Sequence, residues 1–391
     1  MQNKRIFIIA AILLSLCRIM INGTNTRHAS DMEDEILEIF NDLKMTGLGI
    51  AVVKEDSVIW KQSFGYKKIP ENGSLGIKLE DDDLFRIASI SKTFIATALL
   101  QLVEENKIKL NDDAGALLPF NLRNPKFPDK AITIQMLLTH TSGINDSQGW
   151  WSIDLINPDE SPNYFKSYSL TPPGEQYDYC NFNYCILGAI IEVVTQERFD
   201  KVISDRITKP LGIQGSFNRF DLDSNKFVRL YRYNKETDIF KEDDEAYRAY
   251  KSQLVDNYKL CKSLGLEYPS SGMKISPSDL AKYMMMHMLG GSLDSIKILS
   301  KESENLMRRN YVGKYNYGLS YRQYRGLIPN RTLYGQTGGG FGLKSAMIFD
   351  PVNKIGFVII CSGSASKYID GYEDIHKPLI KILYKYLIER D

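Results

Sequence analysis

The sequence predicts an α+β fold: an antiparallel sheet built from both chain termini and flanked by helices, with a mostly helical lobe inserted between them. Three observations predict it. Near the start, Gly47-Leu48-Gly49-Ile50-Ala51-Val52-Val53 and Ser57-Val58-Ile59-Trp60-Lys61-Gln62-Ser63-Phe64-Gly65 flank Lys54-Glu55-Asp56, the pattern of a β-hairpin. Near the end, Ala346-Met347-Ile348-Phe349 and Ile355-Gly356-Phe357-Val358-Ile359-Ile360 repeat that pattern around Asp350-Pro351-Val352-Asn353. Between them, residues 130–310 carry mainly helical segments and long loops. Strands at both ends with helices between suit α+β architecture, and a cleft between two such lobes is where a ligand site is expected.

Taken in order, residues 31–45 form an amphipathic helix, with Ile36, Leu37, Ile39, Phe40 and Leu43 on one side. After the first hairpin, Phe94-Ile95-Ala96-Thr97-Ala98-Leu99-Leu100-Gln101-Leu102-Val103 is apolar on most faces and reads as a buried helix from Ser89 to about Asn106. A polar turn follows at Leu110-Asn111-Asp112-Asp113. Ile186–Val194 and Pro277–Leu289 are the clearest helices of the middle region, and an amphipathic helix, Pro378–Ile388, closes the chain. Residues 220–268, rich in Asp, Glu, Lys and Tyr, read as an irregular insertion, either a solvated surface segment or a lid. The lobes then divide at about 31–88 with 312–391, and 89–311, within a single domain over 31–391.

Composition excludes some functions. A 391-residue chain with 43% hydrophobic and 25% charged residues buries a substantial core. A net charge of +1 gives no basis for a nucleic-acid partner. Lys4 and Arg5 precede an apolar run from Ile6 to Cys17 broken only by Ser15, which suits a signal-peptide core and is short for a membrane span. A signal peptide over residues 1–23 implies a secreted or periplasmic protein, with membrane attachment only if that segment is retained or lipidated at Cys17; the bulky Leu16 argues against lipidation. The other four cysteines form no dense framework and no C-x-x-C, so they read as one disulfide or as buried thiols. His28, His140, His287 and His376 lack ligand spacing, and no metal or other cofactor is expected.

The chemistry lies in Phe85-Arg86-Ile87-Ala88-Ser89-Ile90-Ser91-Lys92. Positions i and i+3 share a helix face, so a serine can exchange a proton with a lysine one turn on. An ordinary lysine keeps its proton to about pH 10.4, so a lysine base needs surroundings that disfavour charge, and burial provides them. S-x-x-K occurs three times, at Ser89/Lys92, Ser271/Lys274 and Ser364/Lys367, but only the first opens an apolar helix. Three further stretches accompany it: Leu137-Leu138-Thr139-His140-Thr141-Ser142-Gly143, Tyr177-Asp178-Tyr179-Cys180-Asn181, and Tyr334-Gly335-Gln336-Thr337-Gly338-Gly339-Gly340-Phe341-Gly342. Gly338 to Ser345 nearly spells a phosphate-binding loop, but Leu343 replaces a required glycine and a strand follows instead of a helix.

In this order the motifs resemble the serine β-lactamase and penicillin-binding-protein superfamily, specifically the class C-like branch with its D-Ala-D-Ala carboxypeptidases, esterases and D-amino-acid peptidases. The resemblance covers roughly residues 35–385. It implies a β-lactamase/transpeptidase-like catalytic domain and a substrate that is a small molecule or short peptide, such as a cell-wall peptide. It implies Ser89 as nucleophile, Lys92 as base and Tyr179 as proton shuttle. It assigns substrate binding to Asn181, Gln336, Thr337 and Gly338, and the oxyanion hole to the N–H groups of Ser89 and Gly339. Gln336 departs from the family, which usually has lysine or histidine there; a neutral amide predicts weak binding of carboxylate-bearing substrates and an activity profile at higher pH. Cys180 reads as an inert near-isostere of serine, His140 as a structural hydrogen-bonder, and Trp150 and Trp151 as an acyl pocket or a packing cluster. A second function reading is a binding or scaffolding protein that keeps the fold without turnover, for which Gln336 is the only hint.

Overall fold

The computed structural model describes residues 30–71, 74–247, 258–262, 267–369 and 372–389; the expected signal peptide lies outside them. The described parts of Met1–Lys44 and Ser366–Asp391 form one compact unit, and Met45–Ala365 forms another. In the first, helix α1 (30–42) buries Met32 and Ile36. The C-terminal helix, His376–Leu387, buries Leu379, Ile380 and Leu383. The Glu35 carboxylate accepts hydrogen bonds from Lys385 Nζ at 2.8 Å and Tyr386 Oη at 2.7 Å, and the Lys385 contact above all holds it below the usual carboxylate range.

In the larger unit, alternation of apolar residues produces β1 (Gly47–Lys54) and β2 (Ser57–Lys68), paired antiparallel as expected. The first strand is buried almost throughout because it is internal to the sheet, with β2 on one side and β7 (Ile355–Cys361) on the other. With β3 (Ile77–Lys78), β4 (Arg322–Arg325), β5 (Thr332–Gly340) and β6 (Leu343–Asp350), a seven-stranded antiparallel sheet runs in the order β4-β5-β6-β7-β1-β2-β3. Strands from early and late sequence thus meet at the β7–β1 pair, in the register Ile50 to Ile359.

Helix α2 (Ser91–Glu104) is the buried helix of the sequence reading, but it starts two residues after Ser89. Ala88 has φ +47°, a left-handed conformation unusual for a residue with a Cβ, and Ala88–Ile90 makes a 3-10 turn before the α-helix begins. Helix α3 spans Asn181–Thr195 and starts five residues earlier than hydrophobicity suggested. Helix α4 (Pro277–Met288) follows its sequence signals closely: Ser276 caps the Asp279 N–H and Pro277 occupies the first turn. Phe94 of α2 stacks on Tyr283 of α4, with centroids 3.8 Å apart. The insertion at 220–268 is not wholly irregular, since Tyr231–Asn234 and Ile239–Glu242 pair as a hairpin. The four cysteines of the described residues are buried free thiols. No helix among the described residues is long and apolar enough to cross a membrane.

Helix α4 meets the sheet at Gly49, where an added Cβ would lie 2.7 Å from Pro277 Cγ and 3.3 Å from Phe85 Cε2. Overpacking a close-packed interior costs about 1–3 kcal/mol. Gly49→Val is therefore expected to lower the unfolding free energy by about that amount, as read from urea denaturation midpoints; an unchanged midpoint would contradict this packing.

Candidate active site

Ser89 is held by its neighbours on both sides. The Ile87 N–H donates to Met273 O at 3.0 Å, Ser345 Oγ of β6 donates to Ile87 O at 3.0 Å, and the Met273 N–H donates to Ser91 Oγ at 3.0 Å. The left-handed Ala88 turn lies inside this clamp. Such strained backbone persists where surroundings over-determine it, often at functional sites.

Lys92 has no exposed surface. Its Nζ contacts Ser89 Oγ at 3.0 Å, Asn181 Oδ1 at 2.8 Å and Ser270 O at 2.9 Å, one acceptor for each ammonium proton. It also lies 5.0 Å from the Tyr179 ring centroid and 5.6 Å from that of Tyr184. The structure thus brings Ser89, Lys92, Tyr179 and Asn181 together. Tyr179 is exposed, and no hydrogen bond joins its hydroxyl to Ser89 or Lys92 among the described residues.

His140 positions the segment that carries Tyr179. Its carbonyl accepts the Asp178 N–H at 2.8 Å, its Nδ1 accepts the Cys180 N–H at 3.1 Å, and its ring lies 4.2 Å from the Tyr179 ring. With Nδ1 an acceptor, the ring proton sits on Nε2, facing Tyr317 Oη at 3.3 Å. Burial, reinforced by the positive charge of Lys92, holds the His140 pKa well below the ordinary imidazole value. A neutral, buried His140 is a structural hydrogen-bonder, as the sequence suggested.

Gln336, to which the resemblance assigns substrate binding, is nearly buried. It is 4% exposed, and its Nε2 donates to Tyr317 Oη at 3.0 Å and to Ser320 O at 3.2 Å. Both amide hydrogens are therefore engaged inside the protein. Tyr317, which the sequence reading missed, is the residue that joins Gln336 to His140. Burial keeps its hydroxyl well above the ordinary tyrosine pKa and hence protonated.

Strand β5 passes directly beside Ser89. A Cβ on Gly338 would fall 2.4 Å from Ile87 O and 3.0 Å from Ser89 N, so only glycine fits. Strand β4 pairs with Thr332–Gly335 only, and from Gln336 to Gly340 the one described ladder partner is β6. Thr337 is half-buried, and Gly339 is exposed on this stretch.

The remaining candidates separate clearly. Ser271 Oγ accepts from the Arg86 guanidinium at 2.9 Å and Lys274 Nζ donates to Phe217 O at 2.6 Å, which makes that S-x-x-K a structural element. Burial, with the Asp146 charge, pushes the Cys180 thiol well above its ordinary pKa, which removes it as a nucleophile. Trp150 packs against the core and Trp151 is exposed.

A Beta-lactamase family model matches residues 30–375. Protein flp of Staphylococcus aureus strain N315 is 30% identical over 203 residues, 48% of this chain and 38% of its own length. Penicillin-binding protein 4 of Amycolatopsis lactamdurans is 27% identical over 245 residues, 61% of this chain and 60% of its own. The chain thus spans less than two thirds of these relatives. Among solved structures, an octameric penicillin-binding protein homologue from Pyrococcus abyssi aligns with a TM-score of 0.71 at 23% identity, covering 91% of this chain and 77% of that one. A D-amino acid amidase from Ochrobactrum anthropi SV3, complexed with D-phenylalanine, aligns with a TM-score of 0.66 at 21% identity, covering 90% and 98%. Likeness at these identities establishes the fold.

Below about pH 6.5 the unfolded chain protonates His140 and the folded protein does not, so stability is complete above that pH and is lost as pH falls. One such proton contributes a slope of about 1.4 kcal/mol per pH unit. His140→Gln, whose carbonyl can still accept the Cys180 N–H, should reduce the pH dependence of denaturation between pH 7 and 5 by about one proton. An unaltered slope would show that His140 is protonated in the folded state.

Proposed function

The chain belongs to the beta-lactamase family, and from that premise we propose that it is a serine hydrolase cleaving an amide or ester through an acyl-Ser89 intermediate. The observation that carries this reading is the buried Lys92 Nζ, 3.0 Å from Ser89 Oγ and fixed by Asn181 and Ser270. In the neutral amine form, Lys92 accepts the Ser89 proton across that contact while Oγ attacks the substrate carbonyl. The new C–O bond converts the carbonyl oxygen into an oxyanion, for which the N–H groups of Ser89 and Gly339 are the candidate donors. Collapse of the tetrahedral species breaks the bond to the amine or alcohol, which leaves with the proton passed from Lys92 by way of Tyr179. Water then attacks the acyl-serine and loses a proton to Lys92 by way of Tyr179, and the acyl–Oγ bond breaks as Lys92 returns that proton to Ser89, freeing it and the carboxylic acid.

We infer a neutral or small substrate, because Gln336 carries no charge and its amide hydrogens are held by Tyr317 and Ser320. The solved D-amino acid amidase brings D-amino-acid amides into this class, and the relative named a penicillin-binding protein leaves cell-wall peptides as the second candidate. A site of action outside the cytoplasm belongs to the same reading and rests on the Lys4–Cys17 pattern.

Incubation with a fluorophosphonate should add one adduct mass to the protein and none to Ser89→Ala. No adduct on either would favour the binding-protein reading. Penicillin should acylate slowly or not at all, while neutral esters turn over. Gln336→Lys, which adds positive potential to this wall of the site, is expected to raise penicillin acylation by roughly tenfold or more, the order of one charged interaction, and to move the pH–rate profile downward. Unchanged penicillin acylation and pH profile would remove Gln336 as the cause of selectivity.

A further inference from the structure

Helix α3 begins without a cap of its own. Its preceding residue, Cys180, makes no side-chain capping hydrogen bond, yet the first N–H groups of a helix need acceptors. Asp146, half-buried in the loop after the Thr139–Gly143 turn, supplies them from a distant part of the chain. Its Oδ2 accepts the Asn181 N–H at 3.0 Å, and its Oδ1 accepts the Phe182 N–H at 3.0 Å and Cys180 Sγ–H at 3.1 Å.

A fourth contact reaches the site. Asn181 Nδ2 donates to Asp146 Oδ2 at 3.0 Å, while Asn181 Oδ1 faces Lys92 Nζ at 2.8 Å. A side-chain amide has a donor end and an acceptor end that a half-turn exchanges, whereas a carboxylate only accepts. Asp146 therefore dictates which end Lys92 meets. With the amide reversed, Lys92 would face N–H groups and lose one of its three acceptors.

We propose that Asp146 is a positioning residue for acylation: it locks the Asn181 amide with its oxygen toward Lys92 and so holds Lys92 on Ser89. This rests on the reading of Ser89 as the nucleophile. Asp146 touches neither Ser89 nor Lys92 in this arrangement and acts through Asn181. A helix cap alone would not require the Asn181 side chain; the orientation requires it.

The test is the rate of fluorophosphonate labelling of Ser89 in Asp146→Asn, Asn181→Ala and the double variant. Asp146→Asn leaves one acceptor oxygen, and its amide nitrogen sets a donor against either the Asn181 N–H and side chain at the Oδ2 position or the Phe182 N–H at the Oδ1 position. It should slow labelling on the order of tenfold to a hundredfold, the effect of losing one hydrogen bond to a charged group. In the Asn181→Ala background the same substitution should have little further effect. Wild-type labelling in Asp146→Asn, or an equal loss in both backgrounds, would leave Asp146 as a cap only and overturn the proposal. If Asp146→Asn does not fold, Asp146→Ser keeps a capping oxygen and takes its place.

A second readout does not depend on reactivity. In ¹⁵N-labelled protein the Asn181 side-chain amide resonance, identified by its loss in Asn181→Ala, should shift in Asp146→Asn. An unmoved resonance overturns the positioning role. A shifted resonance in a protein whose Ser89 never reacts supports the orientation while refuting the hydrolase reading.

Discussion

An ammonium group removed from water is costly unless each of its protons finds an acceptor, and the enclosure of Lys92 is the constraint around which this site is built. Its three acceptors come from three separate segments: the 3-10 turn before α2, the first residue of α3, and the carbonyl of Ser270 before β-paired Lys274. The ring faces of Tyr179 and Tyr184 add electrostatic support from the Tyr179–Asn181 segment and α3. None of these segments can shift alone without leaving the lysine short of a partner. The enclosure that satisfies the Lys92 nitrogen is thus the same one that places a hydroxyl 3.0 Å from it.

A second network, neutral throughout, supports the first. Tyr317 Oη gathers Gln336 Nε2 and His140 Nε2, and His140 in turn holds the backbone at Asp178 and Cys180 on either side of Tyr179. An amide suits position 336 because the surroundings offer a hydroxyl and a carbonyl within a nearly closed space, where a neutral donor needs no counter-charge. The departure from the family pattern is therefore integrated into the wall of the site and is not a loose replacement. It couples the edge of β5 to the loop that carries the tyrosine.

What the sequence made legible follows from the range of the interactions. The first hairpin, the β6–β7 pair and α4 are written in local alternation and capping residues, and each appears close to its expected position. The start of α3 was not legible, because its cap is Asp146 and no local residue replaces it. The hint was Cys180, a poor capping residue in front of an evident helix. Strand β5 has little β propensity, with four glycines in Thr332–Gly340, so the sequence shows its motif but not its extent. Ser89, Lys92, Tyr179 and Asn181 could be named from spacing and resemblance, whereas Tyr317 and the Ser270 carbonyl contribute through tertiary contacts that no motif encodes.

The approach of β5 to Ser89 explains why two unusual backbone features occur together. For the Ser89 N–H to lie beside a strand edge, the strand must come closer to Ile87 and Ser89 than any side chain would permit, and Gly338 alone allows it. The chain enters the 3-10 turn that carries Ser89 through Ala88, at φ +47°. Ser345 then ties Ile87 O to β6, so the turn and the strand edge are fixed to one sheet. Neither feature is explained by stability of its own element, because a left-handed alanine costs energy and a glycine weakens a strand. Under the proposed hydrolase reading, both would serve to bring the Ser89 N–H against the edge of β5, where a reacting carbonyl would need a donor.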